Sequence, residues 1–119
     1  MFQFQKLIKS FRYAFRGLWY VTKHEQSFRL HLIAAAVVVF LMLYFHITIK
    51  EAVILSLVIA AVLVLELINT IFESLVDMLQ PRIHHLAEVI KNIMAATVLI
   101  ASLGALIIGI LIFAPYVFH

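Results

Sequence analysis

Apolar positions at the start of the chain recur with helical spacing. Phe4, Leu7, Ile8, Phe11, Ala14, Phe15, Leu18, Trp19 and Thr22 fall on one side of a helix, and Lys6, Lys9, Arg12, Tyr13 and Arg16 fall mostly on the other. A basic face opposite an aromatic-rich face is the pattern of a helix lying in the headgroup layer of a membrane. Three longer apolar runs follow. Leu30 to Phe45 is broken only by His31, Ala52 to Leu65 continues as a mixed helix to about Leu79, and Ile93 to Phe118 carries no charge. A spanning helix needs roughly 20 mostly apolar residues. The pattern therefore predicts an all-α membrane protein of one domain over residues 1–119. An amphipathic surface helix occupies 1–28, and three transmembrane helices occupy 29–119. His46, Lys50 and Glu51 form the first connection between spans. Gln80, Pro81 and Arg82 begin the second, with Pro81 as a helix stop.

Composition excludes the competing classes. Of 119 residues, 66% are hydrophobic and 13% charged, and the mean hydropathy is +1.12. Soluble domains carry about 45–50% apolar and about 25% charged residues, and a small chain cannot bury so large an excess. Disorder is excluded for the same reason. The net charge is only +3, and six of the nine basic residues lie in the first 29 positions. That is a membrane-surface pattern, and no nucleic-acid partner is expected. With no cysteine, the chain has no disulfide framework, thiolate nucleophile or cysteine-based zinc site. Gly17, Gly104 and Gly109 cannot build a glycine-rich phosphate loop. Positive charge outside the spans lies in the N-terminal segment and around Arg82 and Lys91, which predicts that both face the cytoplasm. In the third span, Ala101, Ala105 and Gly109 recur every four residues, a spacing that lets helices approach closely.

The chemically informative segment is Glu66-Leu-Ile-Asn69-Thr-Ile-Phe-Glu73-Ser-Leu-Val-Asp77. At about 3.6 residues per turn, Glu66, Asn69, Glu73 and Asp77 share a narrow arc of one helix face, over roughly 16 Å of its axis. Fourteen uncharged residues precede Glu66. Asp77 is expected to reach water. Carboxylates within a span cost about 2.5–3.5 kcal/mol each near its centre, and like charges at helix spacing repel. Cations, a metal or another helix can offset that cost. Glu25 with Glu73 suits Mg²⁺, a hard ion that usually takes one or two carboxylates and substrate phosphates. Lys91 suits a phosphate contact. On spacing alone, Glu25 serves equally as an ion-pair partner of Lys23 or Arg29, and Lys91 as a cation snorkelling at the end of a span. Asp77, and less readily Glu73, can also be read as solvated past the membrane edge. Three spans of one chain are expected to leave such a stripe hard to enclose.

The stretch ELINTIFESLVD at Glu66–Asp77 resembles the signature E-x-x-N-T/S-x-x-E-x-x-x-D of the bacterial diacylglycerol kinase and undecaprenol kinase family. HEQSFRLH at His24–His31 resembles the segment before that family's first span. HHLAEVIKNIMAATVL, from His84 to Leu99, resembles its second loop and third span. The resemblance covers nearly the whole chain and implies a homotrimeric integral-membrane lipid kinase that uses ATP and Mg²⁺. By position, it implies that Glu25 and Glu73 hold the metal–ATP complex and that Glu66 is the general base on the lipid hydroxyl. Asn69 and Asp77 would support the nucleotide and the stripe, Lys91 would contact phosphate, and Tyr13 would lie near the nucleoside. Undecaprenol is favoured over diacylglycerol by the His31-bearing start of the first span and by the C-terminal Leu-Ile-Phe-Ala-Pro. One departure is Asn92, where the family usually has Asp after the lysine. It removes a charge beside Lys91 and leaves an inactive or repurposed homologue as the alternative. A small transporter would need acids across the whole bilayer, whereas these crowd one side.

Overall fold

The computed structural model describes residues 3–80, 82 and 84–118, His84 in its backbone only. It contains four helices: α1 Phe4–His24, α2 Gln26–Tyr44, α3 Ile49–Leu79 and α4 His84–Val117. At about 1.5 Å per residue, α2 is roughly 28 Å long, close to the roughly 30 Å of a bilayer's hydrocarbon core. With 31 and 34 residues, α3 and α4 are long enough to cross it and project beyond. The three spans are thus as expected, and among the described residues there is no strand.

Two boundaries differ from the sequence expectation. The surface helix ends at His24, not at residue 28, and Gln26–Phe28 already belong to α2. Glu25 alone is extended (φ −112°, ψ 111°). No glycine or proline marks the corner. Arg29 holds it instead, its guanidinium donating to the carbonyl oxygens of Thr22 (3.0 Å) and Lys23 (2.9 Å) in the last turn of α1. Those carbonyls have no partner within the helix, so a cation there is doubly favourable. At the other end of α2 the connection is Phe45–Thr48, and Lys50 and Glu51 lie inside α3. His46 adopts φ 49°, and Ile47 N–H donates to the carbonyl of Met42, the reversal by which helices commonly end in a left-handed residue. Thr48 and Glu51 then start α3 with a reciprocal capping box.

The spans pack as an antiparallel sequence, with α3 central. Asp77 of α3 pairs with Lys91 of α4 at one end. At the other end the Tyr116 hydroxyl donates to Glu51, beside the rings of Phe45 and Phe113. These two contacts fix the register of α3 against α4. The fully enclosed apolar side chains are few, with Phe28 and Leu55 the largest. The outward faces of the spans are mostly apolar, as lipid contact requires. None of α1 is buried, which suits a helix whose apolar face lies on a membrane.

Of the small-residue repeat on α4, Gly109 does not sit in a close helix crossing within one chain: a Cβ added there would meet nothing within 4 Å.

Candidate active site

The periodicity of α3 brings Glu66, Asn69, Glu73 and Asp77 to one face, graded in depth. Glu66 is 3% exposed, Asn69 9%, Glu73 half-buried and Asp77 exposed. One chain therefore encloses the deep half of the stripe, contrary to the sequence expectation. The reason is the neighbour on α2: His31 Nε2 lies 3.7 Å from Glu66 Oε2. A second buried polar group, Thr70, turns its hydroxyl back to the carbonyl of Glu66 (3.0 Å). Asn69 Nδ2 donates to Glu73 Oε1 (3.3 Å), while Asn69 Oδ1 is buried without a partner. At the exposed end Lys91 Nζ donates to Asp77 Oδ1 (2.5 Å).

Glu25 stands at the α1–α2 corner, partly buried. Glu25 and Glu73 both lie within electrostatic reach of Glu66, so the corner carboxylate belongs to the same electrostatic neighbourhood as the stripe. Among the described residues Glu25 forms no ion pair with Lys23 or Arg29, and Nη1 of Arg29 is engaged by backbone carbonyls. The snorkelling reading of Lys91 gives way to its pairing with Asp77. Lys91 also feels Glu73. Asn92 follows Lys91 on the exposed side of α4. Tyr13 is set apart: its side chain is exposed, with the Arg16 guanidinium 6.0 Å from its ring centroid, and among the described residues no stripe side chain reaches it.

Sequence reasoning missed the role of His31 beside Glu66. The signal was present as the only polar residue breaking the first apolar run. Which helix would meet it is a tertiary fact.

The donor set is all oxygen: Glu25, Glu73 and the unpartnered Asn69 Oδ1. That chemistry fits a hard cation completed by phosphate oxygens and water. Among the described residues no three His, Asp or Glu side chains converge to hold a metal by themselves. The arrangement offers a buried carboxylate with an imidazole 3.7 Å away, two further carboxylates at Glu25 and Glu73, and a lysine paired with Asp77 at the exposed end.

The description of the family model that matches residues 12–113 is prokaryotic diacylglycerol kinase. The chain is similar to the undecaprenol kinase of Bacillus subtilis (strain 168), with 34% identity over 95% of this chain and 92% of that protein. It is also similar to a diacylglycerol kinase of Synechocystis sp., with 35% identity over 87% of this chain but 59% of that longer protein.

Proposed function

The chain belongs to the prokaryotic diacylglycerol kinase family and is a multi-pass membrane lipid kinase, and from that premise we propose that it transfers the γ-phosphoryl group of ATP to the hydroxyl of undecaprenol. The observation that carries the reading is the depth gradient of the stripe, from Glu66 at 3% exposure to the exposed Asp77–Lys91 pair. A lipid alcohol comes laterally, at the depth of Glu66. A nucleotide comes from water, at the wet end. By charge distribution that end is cytoplasmic, with the basic α1 and Arg82 on the same side.

Phosphoryl transfer asks the protein for positioning and charge neutralisation rather than covalent chemistry. Glu66 accepts the proton of the lipid hydroxyl, whose oxygen forms a bond to the γ-phosphorus as the bond to the β–γ bridging oxygen breaks. ADP leaves, and the lipid phosphate remains in the membrane. His31 stands beside the Glu66 carboxylate, its Nε2 3.7 Å from Oε2, and helps to position it. Glu25 and Glu73, with Asn69 Oδ1 beside them, would hold Mg²⁺, which when bound neutralises charge on the nucleotide phosphates. One of the three Lys91 protons is given to Asp77, which leaves two for phosphate oxygens.

The Asp77–Lys91 pair also answers the departure at Asn92. The anion that orients Lys91 is Asp77 of α3, so loss of a carboxylate at position 92 does not leave the lysine unheld. That pairing supports the kinase reading over the decayed-site alternative. Tyr13 enters this reading only if α1 moves or a neighbouring subunit brings a stripe towards it. A homotrimer is part of the proposal because Glu73 and Asp77 remain open to a second chain.

The length match supports undecaprenol: the undecaprenol kinase relative is covered almost end to end, whereas the chain spans about three-fifths of the diacylglycerol kinase relative. The test is competition between the two alcohols for the purified protein with labelled ATP. Undecaprenol is expected to take most of the label at equal mole fraction in the bilayer. Preferential labelling of diacylglycerol would reverse the assignment.

A further inference from the structure

Glu25 is the single residue between α1 and α2. Its carboxylate makes no capping hydrogen bond to α2 and, among the described residues, no ion pair. What places it is therefore the course of the backbone through residue 25. Side-chain packing does little to set that course, because no residue of α1 is buried.

Arg29 grips the backbone on both sides of Glu25. Its N–H donates to the Glu25 carbonyl (3.3 Å) and opens the hydrogen-bond ladder of α2. Its guanidinium folds back over the corner, where Nη1 donates to the carbonyls of Thr22 (3.0 Å) and Lys23 (2.9 Å). In an unbroken helix those carbonyls would accept from Gln26 and Ser27, four residues on. The extended Glu25 interrupts that ladder, and one cationic nitrogen fills both places. Hydrogen bonds from an ionised donor are roughly twice as strong as neutral ones, and the cation meets the negative end of α1. Among the described residues Arg29 has no carboxylate partner, so its charge acts at the corner.

We propose that Arg29 is a positioning residue for cation binding: by clamping the α1–α2 corner it holds the Glu25 carboxylate where it can share a cation with Glu73. This rests on the reading of Glu25 and Glu73 as the pair that holds Mg²⁺. The competing role is a staple that steadies α1 and has no bearing on the cation.

The experiment uses the full chain in lipid nanodiscs and reads two quantities, neither of which needs turnover. The first is the geometry of the corner. The chain has no cysteine, so nitroxides are placed at Ser10→Cys on α1 and Tyr44→Cys on α2, both exposed, with labelled chains diluted among unlabelled ones. The distance distribution is expected to be narrow with Arg29 present, to broaden in Arg29→Met, and to narrow again in Arg29→Lys, which keeps a cationic donor. The second is the Kd for Mg²⁺ in the presence of a non-hydrolysable ATP analogue, by calorimetry. Arg29→Met is expected to raise it about tenfold, the lower range for losing a group that orients a metal ligand, and Arg29→Lys to recover most of the loss. In a Glu25→Gln background Arg29→Met should add nothing further, because the clamp acts through that carboxylate. If Arg29→Met does not fold, Arg29→Gln carries the same expectations. A raised Kd in Glu25→Gln beside an unmoved one in Arg29→Met would overturn the positioning role and leave the reading of Glu25 intact. An unmoved Kd in Glu25→Gln would overturn both. Losses that add in the double variant would make Arg29 a staple, and an unbroadened distribution in Arg29→Met would remove the clamp itself. Mg²⁺ binding with these shifts in a wild type that makes no lipid phosphate would uphold the clamp and sink the kinase chemistry.

Discussion

Glu66→Gln is expected to lower kcat for lipid phosphorylation by about 10²–10⁴-fold, the usual contribution of a positioned general base. The KM for ATP should change little, because Glu66 lies at the dry end of the stripe, next to His31 and away from the Asp77–Lys91 pair. Glutamine keeps the shape and one acceptor oxygen, so the helix contacts around position 66 survive. Thermal stability should hold or rise, since a buried charge is replaced by a neutral group. The split between lost turnover and retained fold is the signature. Steady-state kinetics beside a melting curve read it directly. Turnover within a few-fold of wild type would remove Glu66 from the proton-accepting role, and loss of fold would make it a structural residue.

Glu73→Gln is the second large effect and acts by a different route. Glu73 accepts the Asn69 amide hydrogen bond and sits between the buried Glu66 and the exposed Asp77–Lys91 pair. If it holds the cation that accompanies ATP, neutralising it should raise the Mg²⁺ concentration needed for half-maximal activity by at least about 100-fold. That is the upper range seen when even outer-shell groups of metal sites are lost. Excess Mg²⁺ should restore part of the rate. A Mg²⁺ titration of wild type and variant at saturating ATP distinguishes this from a packing defect. An unshifted Mg²⁺ dependence would place the cation elsewhere. Glu25→Gln should behave in the same sense, with a smaller effect if the corner carboxylate contributes charge without direct contact.

Much of the architecture is legible in the chain because lipid simplifies the code. Uninterrupted apolar runs leave few alternatives to helices, and the 3-4-4 spacing of Glu66, Asn69, Glu73 and Asp77 fixes a shared face without any tertiary knowledge. Boundaries are less legible. The break at Glu25 lacks glycine and proline, and it depends on Arg29 reaching back to the carbonyls of Thr22 and Lys23. The early start of α4 at His84 precedes its apolar run by more than two turns, because those turns extend past the hydrocarbon and need no apolar signal. The pairing of His31 with Glu66 and of Lys91 with Asp77 is set by which helices meet and at what height. Periodicity on one helix cannot carry that information. Gly109 illustrates the converse: a position in a pattern associated with close helix crossings here borders open space.

The most direct measurement is transfer of label from γ-labelled ATP to a polyprenol by the purified wild-type protein in lipid nanodiscs, with and without Mg²⁺. The expected result is labelled lipid phosphate that requires protein, alcohol and Mg²⁺ together and disappears in Glu66→Gln. Correctly inserted, helical protein that labels neither polyprenol nor diacylglycerol under these conditions would contradict the assignment of the acidic stripe to phosphoryl transfer.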